Sequence, residues 1–136
     1  MSDYFGAMGT AIYTKLAAGT ALTGALGGTA IYADLAPDGT ALPYVVFSHT
    51  AGGPDNITPR DMRSDLWFVR AYASSRATAN LLDGHISDLL HKGSLSVTGW
   101  TTFWLVREMG FSLVETPPNG TRIYMAGADY RVRISE

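Results

Sequence analysis

The first third of the chain carries an ordered run of helix and strand signals, and this order limits the folds available to it. Apolar residues at spacings of three and four predict an amphipathic first helix with one stripe, namely Phe5, Met8, Ile12 and Leu16. A short second helix is predicted to begin with Thr20 as its N-cap and to end at Gly27-Gly28. Two strands, Ile31–Asp34 and Leu42–Phe47, are expected to follow.

The middle of the chain combines a polar stretch, a strand and a helix. Residues Ala51–Arg63 hold two glycines, two prolines and an Asp-Asn pair, which predicts an unusually long loop. Leu66–Ala73 is predicted to be a strand with apolar residues on both faces, typical of a central strand or of one covered by a partner. A helix is expected over Ser75–Leu90, with Ser74-Ser75 as its cap and one buried face made of Ala79, Leu82, Ile86, Leu89 and Leu90.

Two long strands, Thr102–Glu115 and Thr121–Ile134, are predicted at the end of the chain, and Asn119-Gly120 between them is a good hairpin signal. Side chains alternate in the last strand, with Tyr130, Val132 and Ile134 on one side and Asp129, Arg131 and Arg133 on the other. The order of elements predicts an α+β fold, in which helices pack on one face of a mainly antiparallel sheet. Residues 1–136 are expected to form a single domain.

Composition limits the classes of partner. Charged residues make up only 16% of the chain, which fits a surface lying against neighbours, although scattered Gly, Ala and Thr produce the same fraction. The net charge of −2 leaves no basic excess for tight DNA binding. The chain has no cysteine, which excludes disulfides, thiolate metal sites and a Cys nucleophile. No basic region precedes Lys15 and no membrane span is expected, so the chain is predicted to be a soluble protein made in the cytoplasm.

Histidine and aspartate are the candidates for chemistry, and their spacing argues against it. His85 and His91 lie on different helix faces, and His91 is interpreted as a cation favoured by the helix dipole. His49 ends a strand with no second ligand nearby in sequence. Three carboxylates lack the spacing of a calcium loop and are interpreted as turn residues: Asp55, Asp61 and Asp65. No catalytic residue, metal site or cofactor site is therefore predicted, and no cofactor is expected.

Several segments of the chain together match one family pattern. They are Ala11–Leu16, Ala21–Thr23, Gly27-Gly28, Ile31–Asp34, Leu42–Val46, the strand Leu66–Ala73 that leads into the next helix, and Asp129–Ile134. In this order and spacing they resemble the tail terminator (tail completion) family of long-tailed bacteriophages and related gene transfer agents. One departure is the loop Ala51–Arg63, which is less charged than the loops expected in the family.

The resemblance implies a structural virion protein without enzymatic activity. Members form a ring, typically of six subunits, that caps the head-proximal end of the tail tube, stops tube polymerisation and joins the tail to the head connector. The implied partners are further copies of the chain, the tail tube protein and the connector or stopper protein. DNA passes through the channel without tight binding, and the implied location is the neck region of the virion tail.

On this reading, two sets of residues are predicted to make contacts. A subunit or ring interface is assigned to Arg70, Arg131, Arg133 and Trp104. A solvated face is the alternative for the arginines, and core packing is the alternative for the tryptophan. The loop is expected to become ordered against the tail tube or the next ring through Asp55, Asn56, Arg60, Asp61, Met62 and Arg63, the alternative being a hairpin loop without a partner.

Two other functions stay open at this point. Within the same class, the protein could be another ring of the neck, such as a head-completion or connector protein. From a different class, it could be a small α+β ligand-binding domain or enzyme that uses His49 and the Asp55–Asp65 stretch. A ring with a central channel favours the first class, and a monomer with a deep polar pocket favours the second.

Overall fold

The computed structural model describes residues 3–55, 61–118 and 120–136. Along these ranges the elements are α1 (Tyr4–Ala17), α2 (Thr20–Leu26), β1 (Ile31–Ala33), β2 (Tyr44–Pro54), β3 (Met62–Ala73), α3 (Arg76–Leu90), β4 (Ser96–Val97), β5 (Trp100–Glu115) and β6 (Ile123–Ser135). No helix in the described ranges is long and apolar enough to cross a bilayer.

The strands of the described chain form one sheet in the order β1-β2-β3-β6-β5-β4. β1 runs parallel to β2, and the other neighbouring pairs are antiparallel. β6 lies between β3 and β5 and pairs with both over most of its length, whereas β4 pairs only with the first two residues of β5. The prediction of an α+β fold with a mainly antiparallel sheet is confirmed.

The helices cover one face of the sheet, and the core lies between them. The strand residues on this side are buried: Trp67, Val69, Ala71 and Ala73 of β3, and Tyr130, Val132 and Ile134 of β6. α3 packs against them with Ala79, Leu82, Ile86 and Leu90 fully buried and Leu89 half-buried, so the predicted face of this helix is confirmed. Of the predicted cap Ser74-Ser75, Ser75 caps α3, because its hydroxyl accepts a hydrogen bond from Thr78 N at 3.2 Å.

The first turn of α1 differs from the predicted stripe. The helix begins at Tyr4, because the side chain of Asp3 accepts a hydrogen bond from Gly6 N at 3.1 Å. Tyr4 is 4% exposed and Phe5 is 53% exposed, so the prediction that Phe5 faces the core is wrong. Trp67 Nε1 donates to Tyr4 Oη at 3.0 Å, which gives the buried hydroxyl a partner that Phe5 does not need. Met8, Ile12 and Leu16 are buried as predicted.

The caps of α2 confirm one prediction and correct another. Gly19, with an extended backbone, is the N-cap, and Thr20 is already the first helical residue. No side chain caps this end; the Thr23 hydroxyl instead donates back to Gly19 O at 3.1 Å. Gly27 ends the helix in the left-handed conformation, at φ 76°, as predicted.

The predicted loop Ala51–Arg63 is wrong at both of its ends. β2 continues to Pro54 and β3 begins at Met62, so both ends of the stretch belong to the strands of the β2–β3 hairpin. Its two glycines are strand residues that follow a β-bulge between His49 and Ala51. Gly52 has φ 128°, and Ser64 O fills the position that a Cβ would take. Only glycine fits there, which a sequence pattern cannot distinguish from a turn. The connection itself runs from Asp55 to Asp61, and its residues 56–60 lie outside the described ranges.

The predicted C-terminal hairpin is confirmed, with β5 beginning two residues earlier than expected. β5 carries two irregularities, one at Phe103 and one at Glu108, where the register with β6 shifts. Because each shift adds a residue, Arg107 points to the helices while Met109 points to the opposite face. The short strand β4 was not predicted from the sequence.

Candidate assembly surface

The sheet face opposite the helices is called the open face here. On β3 its residues alternate with the buried ones and are half-buried: Leu66, Phe68, Arg70 and Tyr72. Their partners on β6 are Arg131, Asp129, Gly127 and Met125. The open face therefore brings together Arg70 and Arg131, two of the four predicted interface residues, and Arg133 and Trp104 face each other in the next rows of the same face.

Gly127 allows side chains of two non-neighbouring strands to meet across β6. It pairs with Arg70 on one side and Phe111 on the other, and a Cβ at this position would lie 2.6 Å from Arg70 Cα. Over the bare glycine, the rings of Phe68 and Phe111 pack edge to face with centroids 5.3 Å apart. The guanidinium of Arg70 lies 4.8 Å from the centre of the Phe68 ring. Aromatic rings from β3 and β5 thus meet on the open face across β6.

Arg70 is held by neutral groups. It donates to Tyr72 Oη at 3.0 Å and to Ser48 Oγ at 2.9 Å, and no carboxylate of the described residues forms an ion pair with it. It borders a cavity of about 330 Å³ together with Tyr44, Tyr72 and Glu115. Burial, and then the proximity of Tyr72 and Glu115, raises the pKa of Tyr44. Tyr44 is therefore neutral over the ordinary pH range.

Arg131 and Arg133, in contrast, are paired within the chain. Arg131 Nε lies 3.3 Å from Glu108 Oε2, and its Nη1 donates to Ser64 Oγ at 3.2 Å. Arg133 lies 3.9 Å from Asp55, with its guanidinium 5.3 Å from the centre of the Phe103 ring. All four charged side chains keep substantial exposure, so each pair contributes about 0–1 kcal/mol. The main effect of the two pairs is to reduce the net charge of the open face, and they add little to the stability of the fold.

β5 exposes a row of large apolar side chains on the open face. We call this row the β5 stripe: Trp104, 48% exposed; Met109, 58%; Phe111, 38%; and Leu113, 55%. On the other side of the same strand, Val114 is 54% exposed. A soluble monomer seldom exposes several large apolar side chains in one continuous row. Trp104 is thus on the surface, as the neighbour-contact interpretation requires, whereas Trp100 is buried in the core.

The two halves of β5 are covered differently. Along the first half, Lys92 N donates to Leu105 O at 2.8 Å, and Arg107 N donates to His91 Nδ1 at 3.0 Å. Arg107 also forms an ion pair with Asp83 of α3 at 2.8 Å; the hydrogen bond with Asp83 raises the Arg107 pKa. Along Met109–Glu115, no strand of the described chain lies beside the outer backbone edge.

β2 has the second free edge. β1 pairs with Val45, Val46 and Phe47, and beyond them no strand of the described chain lies outside Ser48–Pro54. This edge is made of small or polar residues: Ser48, His49, Thr50, Ala51, Gly52, Gly53 and Pro54. The two free edges lie at opposite sides of the sheet, because β2 and β5 are separated by β3 and β6.

A buried polar cluster holds the β2–β3 hairpin, and the sequence analysis missed it. Asp65 is fully buried, accepts from Arg63 Nε at 3.1 Å and Nη2 at 3.2 Å, and lies 2.7 Å from His49 Nε2. The Arg63 guanidinium stacks on the Tyr4 ring, 4.0 Å from its centre. The expectation that His49 has no partner is wrong. Its partner is 16 residues away in sequence, and only the strand register brings the two together.

The cluster is satisfied internally. Burial lowers the pKa of Arg63, but the hydrogen bond and the charge of Asp65 outweigh it, so the Arg63 pKa lies above its ordinary value. Burial raises the pKa of Tyr4, and the negative charge of Asp65 adds to that rise. The ring of His49 packs against Phe5 and Trp67, with centroids 5.1 and 5.3 Å away. The His49–Asp65 pair thus fixes α1 to the hairpin. Among the described residues, no hydrogen bond joins His49 to a serine or threonine hydroxyl.

The other histidines form no joint site. His91 Nδ1 accepts a hydrogen bond from Arg107 N at the C-cap of α3, a strand contact that its interpretation as a helix-end cation does not include. His85 borders a shallow cavity between α2 and α3 with Asp88 and Leu89. Within residues 3–55, 61–118 and 120–136, no group of three or more His, Asp or Glu side chains is placed to hold a metal ion.

The residues predicted for the loop contact fall into three groups. Asn56 and Arg60 lie outside the described ranges. Asp55 and Asp61 are exposed at the two ends of the hairpin connection, and Asp61 O accepts from Glu136 N at 2.8 Å. Met62 and Arg63 are strand residues, and Arg63 is 7% exposed inside the Asp65 cluster. The prediction that Arg63 offers a charged contact to a partner is therefore wrong.

A sheet with helices on one face and an exposed apolar stripe on the other fits a protein that assembles with others through this face. The sequence model of the family "Tail completion protein gp17" matches residues 10–135. The chain therefore belongs to the tail completion protein family, and it is a structural protein of a phage-type virion tail. The resemblance found in the sequence is confirmed.

A solved structure shows the same fold. A chain from the "Virion of native gene transfer agent (GTA) particle" superposes with a TM-score of 0.77, covers 100% of both chains and shares 20% of its sequence with this chain. No curated protein sequence matches significantly.

Proposed function

We propose that the protein forms a ring, with six subunits as the expected number, at the head-proximal end of the tail tube. The ring stops tube polymerisation and joins the tail to the head connector. One observation carries the proposal beyond family membership: an apolar stripe runs beside a free strand edge on β5, away from the helices. Apolar surface gains about 25 cal/mol per Å² when it is buried, so this strand is stabilised by a partner.

Charge supports contacts with protein rather than with DNA. Arg131 and Arg133 are neutralised by Glu108 and Asp55 of the same chain, and the whole chain has a net charge of −2. A channel wall of this composition releases few counterions from DNA, so DNA passes without being held. The partners proposed are further copies of the chain, the tail tube protein and the connector protein. Arg70, Arg131, Arg133 and Trp104 remain the proposed interface residues.

The connection between β2 and β3 is the proposed contact with the tail tube or the neighbouring ring. Asp55 and Asp61 are exposed where it leaves and rejoins the hairpin, and the Asp65 cluster fixes its base. Hydrogen exchange in free protein and in assembled tails tests this contact. Protection of the connection that rises on assembly is expected. Equal protection in both states means that the tube contact lies elsewhere on the ring.

Negative-stain microscopy of the purified protein, alone and with tail tubes, tests the proposed function. Rings at one end of the tubes are expected, and tubes assembled with the protein are expected to stop growing. Tubes that keep growing and carry no ring contradict the proposal. Rings that bind head connectors but never tail tubes favour the second candidate, another ring of the neck.

We infer that the protein has no catalytic role. His49 Nε2 donates to the buried carboxylate of Asp65, which also accepts from Arg63. Replacing His49, His85 and His91 together by Gln is expected to leave tail assembly intact, with lower stability because the His49–Asp65 contact changes. A normally folded triple variant that cannot assemble tails contradicts this inference.

A further inference from the structure

The free edge of β5 lacks the features that keep edge strands apart. From Met109 to Val114 it has no charged residue, no proline and no bulge. Native edge strands usually carry at least one of these features, because an open row of N–H and C=O groups otherwise adds a strand from another chain. Arg76 Nη2 donates to Leu113 O at 2.9 Å, but no strand of the described chain covers this edge. The group that fits such an edge is an extended backbone.

The other free edge of the same chain has a matching length, and its bulge at Thr50 and its proline at position 54 leave Ala51–Gly53 between them. Ser48–Pro54 and Met109–Glu115 are both seven residues long. On the open face, the β2 edge carries the small residues Ala51 and Gly53, and the β5 edge carries Met109, Phe111 and Leu113. The large side chains of one edge therefore have room above the small residues of the other. Gly53 illustrates this, since a Cβ placed there has nothing within 4 Å. The one titratable side chain in Ser48–Pro54 is His49, which points to the helix side and contacts Asp65. Over Ser48–Pro54 and Met109–Val114 the pairing therefore buries no unpaired charge, and the one charged residue of the β5 segment, Glu115, lies at its end.

Strand direction favours pairing between copies that have the same orientation. β2 is antiparallel to β3, β3 to β6, and β6 to β5, so β2 and β5 run in opposite directions within one sheet. When a second copy continues the sheet in the same orientation, its β5 is antiparallel to β2 of the first. This is the more stable way to join two strands. The open faces of both copies then lie on the same side.

We propose that the ring is held together head to tail, with Met109–Glu115 of β5 in one copy adding as an antiparallel strand to Ser48–Pro54 of β2 in the next copy. The inference rests on the proposed ring. Matching the open-face positions sets Ala51 opposite Leu113 and Gly53 opposite Phe111. The added strand would pair with β2 only from Ser48 onward, and β1 pairs with β2 only up to Phe47. The two strands therefore do not overlap.

This pairing also inclines the strands. Within one copy, Ala51 lies level with Val106, through Leu66 and Arg131. Setting it opposite Leu113 of the next copy shifts the copies by roughly 20 Å along the strands, at ~3.3 Å per residue. In a closed ring such a shift requires strands tilted from the ring axis, as in closed β-barrels. Pairing of like edges around a two-fold axis gives a dimer instead and leaves β2 free.

Disulfide trapping tests the pairing, because the chain has no cysteine of its own. Opposed residues of antiparallel strands have Cα atoms roughly 4.5–5.5 Å apart, within the range that a disulfide spans. The variant carrying A51C and L113C is oxidised in full-length protein, alone and with tail tubes, and run on a non-reducing gel. A ladder of covalent multimers is expected, with each single variant remaining monomeric. A51C with L81C is the matched control, because Leu81 is 54% exposed on α3 and belongs to neither edge.

The other outcomes separate this inference from the proposed function. A covalent dimer from L113C alone indicates a two-fold β5–β5 contact and overturns the head-to-tail pairing. Rings seen by microscopy without cross-links in the double variant overturn the pairing but leave the ring function standing. The absence of both rings and cross-links in the presence of tail tubes overturns both. Circular dichroism of each variant confirms that it is folded.

Discussion

The two free edges of the sheet are built in different ways. Ser48–Pro54 of β2 contains a bulge, two glycines and a proline, whereas Met109–Val114 of β5 is regular and mostly apolar. Behind the β2 edge lies the buried cluster of Asp65, Arg63 and His49. Behind the free half of β5 lies no comparable cluster in the described ranges, and Arg76 alone reaches its backbone from α3.

The difference shows where each edge obtains its stability. The β2 edge is fixed by interactions within the chain and needs no partner in order to keep its shape. The β5 edge keeps its register through β6 alone, and its large side chains remain in water until another surface covers them. The ion pairs of the two hairpins differ in the same way. The Arg63–Asp65 pair of the β2–β3 hairpin is buried, and the Arg131–Glu108 pair of the β5–β6 hairpin is exposed.

The largest effect is expected at the buried cluster. Asp65→Ala is predicted to lower the free energy of unfolding by about 3–5 kcal/mol, because it leaves the Arg63 guanidinium buried without a counter-charge. Glu108→Ala is the matched control at the β5–β6 hairpin, and its predicted loss is about 0–1 kcal/mol. Urea denaturation measures both. Equal losses for the two variants contradict the contrast between the hairpins.

A smaller loss is expected at Gly52. Gly52→Ala is predicted to cost about 1–3 kcal/mol, since the residue has φ 128° and its Cβ position is filled by Ser64 O and Asp65. Gly53→Ala, one residue further along the same edge, has open space and is predicted to change stability by less than about 0.5 kcal/mol. Thermal melts of the two variants compare them directly. A Gly52→Ala variant as stable as Gly53→Ala shows that the close approach of Gly52 to Ser64 and Asp65 does not constrain this edge.

Much of the fold was predictable from the sequence because it follows local patterns. The α3 face, the strand Leu66–Ala73 and the alternation of Tyr130, Val132 and Ile134 are visible as periods of 3.6 and 2. The β2–β3 hairpin was not predictable, because Gly52 and Gly53 are turn signals in sequence but regular strand residues in the structure, paired with Asp65 and Ser64. Phe5 was misplaced because the partner of Tyr4, Trp67, lies 63 residues away.

The candidate site likewise contains features that local patterns predict and features that depend on strand pairing. The exposure of Trp104 was one of two interpretations of its position at a strand start, and alternation placed Arg131 and Arg133 on the face away from the core. The His49–Asp65 contact and the exposed half of β5 depend on which strands become neighbours. β4 stops after two residues and leaves Met109–Glu115 uncovered, and no periodicity in the sequence records where a neighbouring strand ends.

A third prediction concerns the charges on the open face. Reversing both arginines, as Arg131→Glu with Arg133→Glu, is predicted to change monomer melting little, because each exposed pair contributes only about 0–1 kcal/mol. Ring yield, measured by microscopy or sedimentation, is predicted to fall, because the new carboxylates repel Glu108, Asp55 and any acidic neighbour. Equal ring yield from variant and wild type would reduce both arginines to surface residues without a role in assembly.

The smallest effect on folding is expected in the β5 stripe. There a substitution is predicted to lower ring yield strongly while it changes the free energy of unfolding very little. Leu113→Lys is predicted to change the free energy of unfolding by less than about 0.5 kcal/mol, because Leu113 is 55% exposed and contributes little to the core. In a ring, however, the same substitution places a charge in a contact that excludes water, so ring yield is predicted to fall sharply. Leu81→Lys changes an equally exposed leucine of α3 in the same way and is predicted to leave ring yield unchanged. If both variants assemble like wild type, β5 needs no partner and its apolar row is ordinary surface; if both fail, the added charge rather than its position is responsible.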